Sequence, residues 1–146
     1  MSKRADKIVS EFLEHPERHA GVSGEYACRE LAELVAKARA FDAEWSTDHL
    51  DGLARRAADA LVALMADDAT TGGCRPFYTP DEWRARGESY GLTSVLVCCH
   101  DGGTLSHMLD LSQAGYDVQR AVRDALTPLG LFVEQCTGWY SAVYRL

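Results

Sequence analysis

Thr93–Asp101, Thr-Ser-Val-Leu-Val-Cys-Cys-His-Asp, leaves the fold fewer choices than any other stretch of the chain. Val95 and Val97 are β-branched, and Asp101-Gly102-Gly103 closes the run, so it reads as a strand ended by a turn. Its apolar residues do not alternate. Val95, Val97 and Cys99 face one way and Leu96 and Cys98 the other. A strand apolar on both sides is covered on both sides, which makes it central and places helices on each face.

The flanking patterns set what surrounds this strand. Lys3 to Glu14 carries the i, i+4 pairs Ile8/Phe12 and Val9/Leu13, and Pro16 ends that helix. His15 and His19 in the polar connection read as exposed histidines rather than a metal pair. Gly24 to Trp45 spaces Leu31, Leu34, Val35, Ala38, Phe41 and Trp45 by threes and fours, with Ser23 as cap. Ser46-Thr47-Asp48 offers the next cap, ahead of the stripe Leu50, Leu53, Ala57, Leu61, Leu64 and Met65. The short connection predicts an antiparallel helical hairpin, a common homodimer surface but more simply a cover for the sheet.

Ala69 to Cys74 is small, polar and glycine-rich and reads as a flexible internal linker. Beyond it, Arg75-Pro76-Phe77-Tyr78 is extended. In Thr79-Pro80-Asp81-Glu82, Thr79 is the N-cap, Pro80 takes N1 and Glu82 closes a capping box. Leu105, Leu109 and Leu111, with His107 on the leucine face, predict a second strand joined to the first by a hairpin at Gly102-Gly103. Tyr116 to Leu126 is a helix stopped by Pro128 and Gly130. Leu131 to Cys136 and Trp139 to Arg145 are the last two strands.

The expected fold is therefore α+β. An N-terminal helical layer packs on a four-stranded, mainly antiparallel sheet of β-β-α-β-β order, with a helix on the other face. The expected organisation is one domain over 1–146: helical layer 1–68, linker 69–74 and α+β unit 75–146. Hydrophobic residues are 47% and charged residues 25% of the 146, a globular balance with no apolar run near the ~20 residues that span a bilayer. No apolar signal region follows Met1-Ser2-Lys3-Arg4, so the expected location is the cytoplasm. The five cysteines are odd in number, lack Cys-x-x-Cys spacing and include an adjacent pair. Reduced thiols fit better than a disulfide framework.

Net charge is −7, and no basic face is evident, so nucleic acid is not an expected partner. Arginine outnumbers lysine 12 to 3, a trace of a GC-rich, bacterial or phage genome. Three groups of residues carry chemistry. Cys98, Cys99 and His100, with His107 and Cys136, offer ligand or thiolate types but no ligand spacing, so neither a metal nor a cofactor is expected. Trp139, Tyr140 and Tyr144 divide between two strand faces. Arg75, Phe77, Tyr78, Trp83, Arg84 and Arg86 concentrate the residue types that dominate binding hot spots. No nucleophile-elbow or phosphate-loop pattern occurs. The expectation is a small non-enzymatic binding or regulatory protein with a protein partner, such as an inhibitor encoded by a mobile element. A metal- or thiol-dependent enzyme at Cys98-Cys99-His100 and a small-ligand sensor are the alternatives.

Overall fold

The computed structural model describes residues 3–146 and places them in two compact units, one ending at Glu44 and the other spanning Trp45–Leu146. In the first, α1 (Lys3–Glu14) lies against α2 (Gly24–Glu44). Ser23 caps α2 through its hydroxyl oxygen, which accepts the Tyr26 N–H at 3.3 Å. Phe41 is buried, and the Arg4 guanidinium lies 3.5 Å above its ring. The two histidines of the connection have local partners: His19 stacks on Phe12 at 4.0 Å, and His15 bonds Glu17 at 2.9 Å.

The second unit is α+β. After α3 (Gly52–Ala63) come β1 (Phe77–Tyr78), α4 (Pro80–Ala85), β2 (Leu96–Cys99) and α5 (Gly103–Leu109). The chain ends with α6 (Tyr116–Leu126), β3 (Leu131–Gln135) and β4 (Tyr140–Arg145). The four strands form one antiparallel sheet in the order β1-β2-β4-β3. All of β2 is buried, as a central strand apolar on both sides requires, although Val95 lies just before it and is only half-buried. No helix is long and apolar enough to cross a membrane among the described residues.

Four details differ from the sequence expectation. The segment after Gly102-Gly103 is a helix, not a strand. Leu105, Met108 and Leu109 also obey a helical spacing, and in α5 they are buried while His107 is exposed. The fourth strand is instead β1, whose Phe77 and Tyr78 pair with Cys98 and Val97. The sheet is therefore assembled as β-α-β-α-α-β-β. Second, α6 touches α3 and α5 in one helical layer, and the opposite face is covered by α4 through Trp83, which packs on Tyr78, Val97, Cys99 and Tyr140. Third, Ser46, Thr47 and Asp48 do not cap α3, which starts after Asp51. Their side chains serve other bonds: Thr47 Oγ1 donates to Asp59 at 2.7 Å, and Asp48 accepts from Arg55 at 2.7 Å.

The fourth difference is the glycine-rich segment, which is pinned on both sides. The Ala69 carbonyl accepts from Trp45 Nε1 at 3.3 Å. The Thr70 carbonyl accepts the Thr104 N–H at 2.8 Å, and the Thr70 N–H donates to Thr104 Oγ1 at 3.0 Å. Two glycine turns, one at Gly72 and one at Gly102-Gly103, thereby meet backbone to backbone at the start of α5. This docking fixes the exit of β2, and with it His100 and Asp101.

Candidate functional site

β1 leads directly into α4, and the junction is held by the capping box. The Glu82 N–H donates to Thr79 Oγ1 at 3.2 Å, and the Thr79 N–H donates to the Glu82 carboxylate at 2.9 Å. Burial works against ionisation of Glu82, but the Thr79 amide and Arg75 together hold its carboxyl below the ordinary value. Arg75 reaches the same carboxylate at 2.8 Å and stands 4.5 Å from the Tyr78 ring centre. Arg86 approaches the Tyr78 ring at 5.1 Å and the Trp83 ring at 5.0 Å, and donates to the Tyr78 hydroxyl at 2.9 Å. Arg84 pairs with Asp81 at 2.6 Å and donates to the Leu92 carbonyl at 3.3 Å.

The segment thus separates into two sets. Arg75, Arg84 and Arg86 are exposed. Phe77 and Trp83 are fully buried, and Tyr78 nearly so, which removes the aromatics from any contact surface. Phe77 faces Trp45 at 6.3 Å between ring centres. Trp83 meets Tyr78 at 5.0 Å, Tyr140 edge-on at 4.9 Å and Trp139 at 5.6 Å. Trp139 therefore joins the same cluster as Tyr140, while Tyr144 stacks on Phe132 at 5.7 Å nearer the surface. What remains outside are three guanidinium groups, of which Arg75 and Arg86 lie against the rings.

The cysteine and histidine residues do not come together as one group. Cys136, just after β3, packs against the Trp83 cluster that also holds Cys99, but His100, just after β2, bonds Ser141 on the other face, and His107 is exposed on α5. No group of three histidine, cysteine, aspartate or glutamate side chains is placed to hold a metal ion among the described residues. All five cysteines are free thiols. Burial pushes the Cys98 thiol far above its ordinary value and Cys99 up to about 11, the opposite of what a thiolate nucleophile needs.

His100 is nonetheless unusual. It is wholly buried, its Nε2 shares a 2.9 Å hydrogen bond with the buried Ser141 hydroxyl, and its Nδ1 has no hydrogen-bond partner among the described residues. Burial pushes its pKa below the ordinary histidine value, against the opposing pull of its backbone contact, Asp110 and Asp101. Hydrogen bonds from Ser112 and Gln113 draw the Asp110 carboxyl down to about 2. Both folded values lie below the unfolded ones, so the folded chain binds fewer protons and stability rises with pH. The His100 contribution is complete above its unfolded value of ~6.5 and is lost as pH falls below it; that of Asp110 is complete above ~3.9 and is lost on further acidification. Urea midpoints measured from neutral to strongly acid pH should therefore decline in two stages. His100→Gln should remove the upper stage alone, whereas a midpoint that stays flat below pH ~6.5 would contradict a buried neutral imidazole.

A further feature escaped the sequence reading. Beside β3 lies an open groove of about 450 Å³, lined by Met108, Leu109, Leu111, Val122, Phe132 and Val133, with Gln119, Arg123, Glu134 and Gln135 as its polar lining. The one sequence signal for it is Phe132, an aromatic at the outward position of a strand whose Leu131 and Val133 point inward. No protein-family model, curated protein or solved structure matches this chain.

Proposed function

We propose that this is a small non-enzymatic binding protein of the cytosol that acts through a protein–protein surface at Arg75, Arg84 and Arg86. The observation that carries the reading is the state of Arg86. Arg75 and Arg84 are matched by Glu82 and Asp81, but Arg86 has no carboxylate partner among the described residues. Its guanidinium is held on two aromatic rings, so it is ordered before any partner arrives. An exposed, oriented fork with unused N–H donors suits a carboxylate or phosphate on the partner.

Arg86→Lys tests this. Lysine retains the charge and its attraction to the rings, so stability should change by less than ~1 kcal/mol. It lacks the planar fork, and recovery of the partner by in-cell crosslinking and mass spectrometry should fall at least tenfold. Equal recovery by wild type and variant would refute the site.

A further inference from the structure

Among the described residues, β3 ends the sheet with one side open, and the direction of its free hydrogen-bonding groups follows from the ladder. The Cys136 N–H donates to the Tyr140 carbonyl, and the Leu146 N–H donates to the Gly130 carbonyl. In an antiparallel pair, bonded and non-bonded positions alternate. Phe132 and Glu134 therefore turn their backbone groups toward β4. Leu131, Val133 and Gln135 turn theirs away from the sheet.

The two sheet edges are treated differently. β1 is two residues long, and its outward-facing residue, Phe77, already gives its carbonyl to His49 Nε2 at 3.0 Å, so that edge is blunted. β3 is five residues long and contains no proline, lysine or interruption of its register. Exposed apolar side chains gather beside this unguarded edge: Phe132 is 40% and Leu111 62% exposed, and both line the groove. An open strand edge beside an apolar groove is the geometry that accepts another strand.

We propose that the β3 edge is the seat of a second copy of this chain. The two β3 strands pair antiparallel about a two-fold axis at Val133 and join two four-stranded sheets into one of eight strands. The sequence of β3 is complementary to its own reverse. In this register Val133 meets its copy, Leu131 meets Gln135, and Phe132 meets Glu134. Every outward N–H and C=O of the strand then finds a partner. The only charge on the strand, Glu134, lies opposite phenylalanine and never opposite itself. The two Phe132 rings become diagonal neighbours, a spacing within reach of aromatic side chains. Arg123 and Glu134 in the groove have opposite signs, so no single-sign field opposes the pairing. The proposal is independent of the arginine surface, which lies beyond the other edge of the sheet on β1 and α4.

The test combines sedimentation with amide hydrogen exchange on the full chain. Wild type should form a concentration-dependent dimer below about 1 mM. Raising the concentration should slow exchange at the Leu131, Val133 and Gln135 amides, while Phe132 and Glu134, already bonded to β4, should change little. Phe132→Glu places two carboxylates opposite each other and should weaken the dimer at least tenfold. Adding Glu134→Lys turns the same contact into an ion pair and should restore it. A monomer at every concentration would overturn the proposal. So would a dimer indifferent to Phe132→Glu, or one whose three outward amides exchange at a fixed rate. The exchange pattern is read on wild type, so it decides the matter even if a variant fails to fold.

Discussion

Gly103→Ala is expected to cost ~3 kcal/mol or more, and to lower the melting temperature by about 10 °C, because it loses on two counts at once. Gly103 has φ +70°, a region that L side chains enter at a cost of roughly 1–2 kcal/mol. A methyl group there would also stand 2.5 Å from the Thr70 carbonyl oxygen and 2.6 Å from the Gly72 nitrogen. Those atoms are backbone and cannot rotate aside. Relief requires the two turns to part, which breaks the bond from the Thr104 N–H to the Thr70 carbonyl. Overpacking of this kind adds ~1–3 kcal/mol. Gly73→Ala is the control. Its φ is +87°, but a methyl group would meet nothing within 4 Å, so it should lose only the conformational cost of roughly 1–2 kcal/mol. Equal melting temperatures for the two variants would show that the turns are not in close contact. The loss from Gly103→Ala should extend beyond the turn, because α5 provides the Met108 and Leu109 wall of the groove.

The same junction shows where the sequence stopped being legible. Gly102-Gly103 after an apolar strand reads equally as a hairpin turn or as the entry to a helix. Leu105 and Leu109 fit alternation and a four-residue period alike. What decides between them is the docking of Thr70–Gly72 onto the α5 start, a contact between residues some thirty positions apart that no local pattern encodes. Where local chemistry suffices, the reading holds. The capping box at Thr79 and Glu82 is present, α6 runs from Tyr116 to Leu126, and the last two strands pair about Thr137-Gly138. The α+β class with a four-stranded antiparallel sheet follows from these pieces.

The candidate site divides in the same way. The cap was readable, since Thr79 and Glu82 are bound by neighbours in sequence. The direction of the aromatics was not. Phe77 and Tyr78 occupy opposite faces of β1, and both faces turn out to be covered. An arginine–aromatic run announces a hot spot and a core anchor with the same letters, and only burial separates them. The β3 groove needed more still, because its walls come from α5, α6 and a strand edge.

Trp83 gives the sharpest distinction between anchor and hot spot. Its ring is fully buried among Tyr78, Tyr140 and Trp139, and its Nε1 makes no well-formed hydrogen bond among the described residues, the Tyr140 hydroxyl being at best a weak partner. Trp83→Ala should therefore cost ~3–5 kcal/mol, the range for emptying a large aromatic site, and this is a large share of the stability of an ordinary domain. Trp83→Phe should cost far less than its lost volume suggests. Phenylalanine keeps most of the ring contacts and removes an N–H whose burial without a well-formed bond costs ~1–3 kcal/mol. The expected net change is under ~1.5 kcal/mol. Denaturant unfolding of both variants checks the stability ranking. Partner recovery adds the second axis: Trp83→Phe keeps an aromatic face beneath Arg86 and should recover the partner within a few-fold of wild type, whereas Arg86→Lys should not. A Trp83→Phe protein that keeps its stability but loses the partner would show that the indole face is needed to hold Arg86 in its binding orientation. One that unfolds as readily as Trp83→Ala would mean that the indole N–H is well bonded after all.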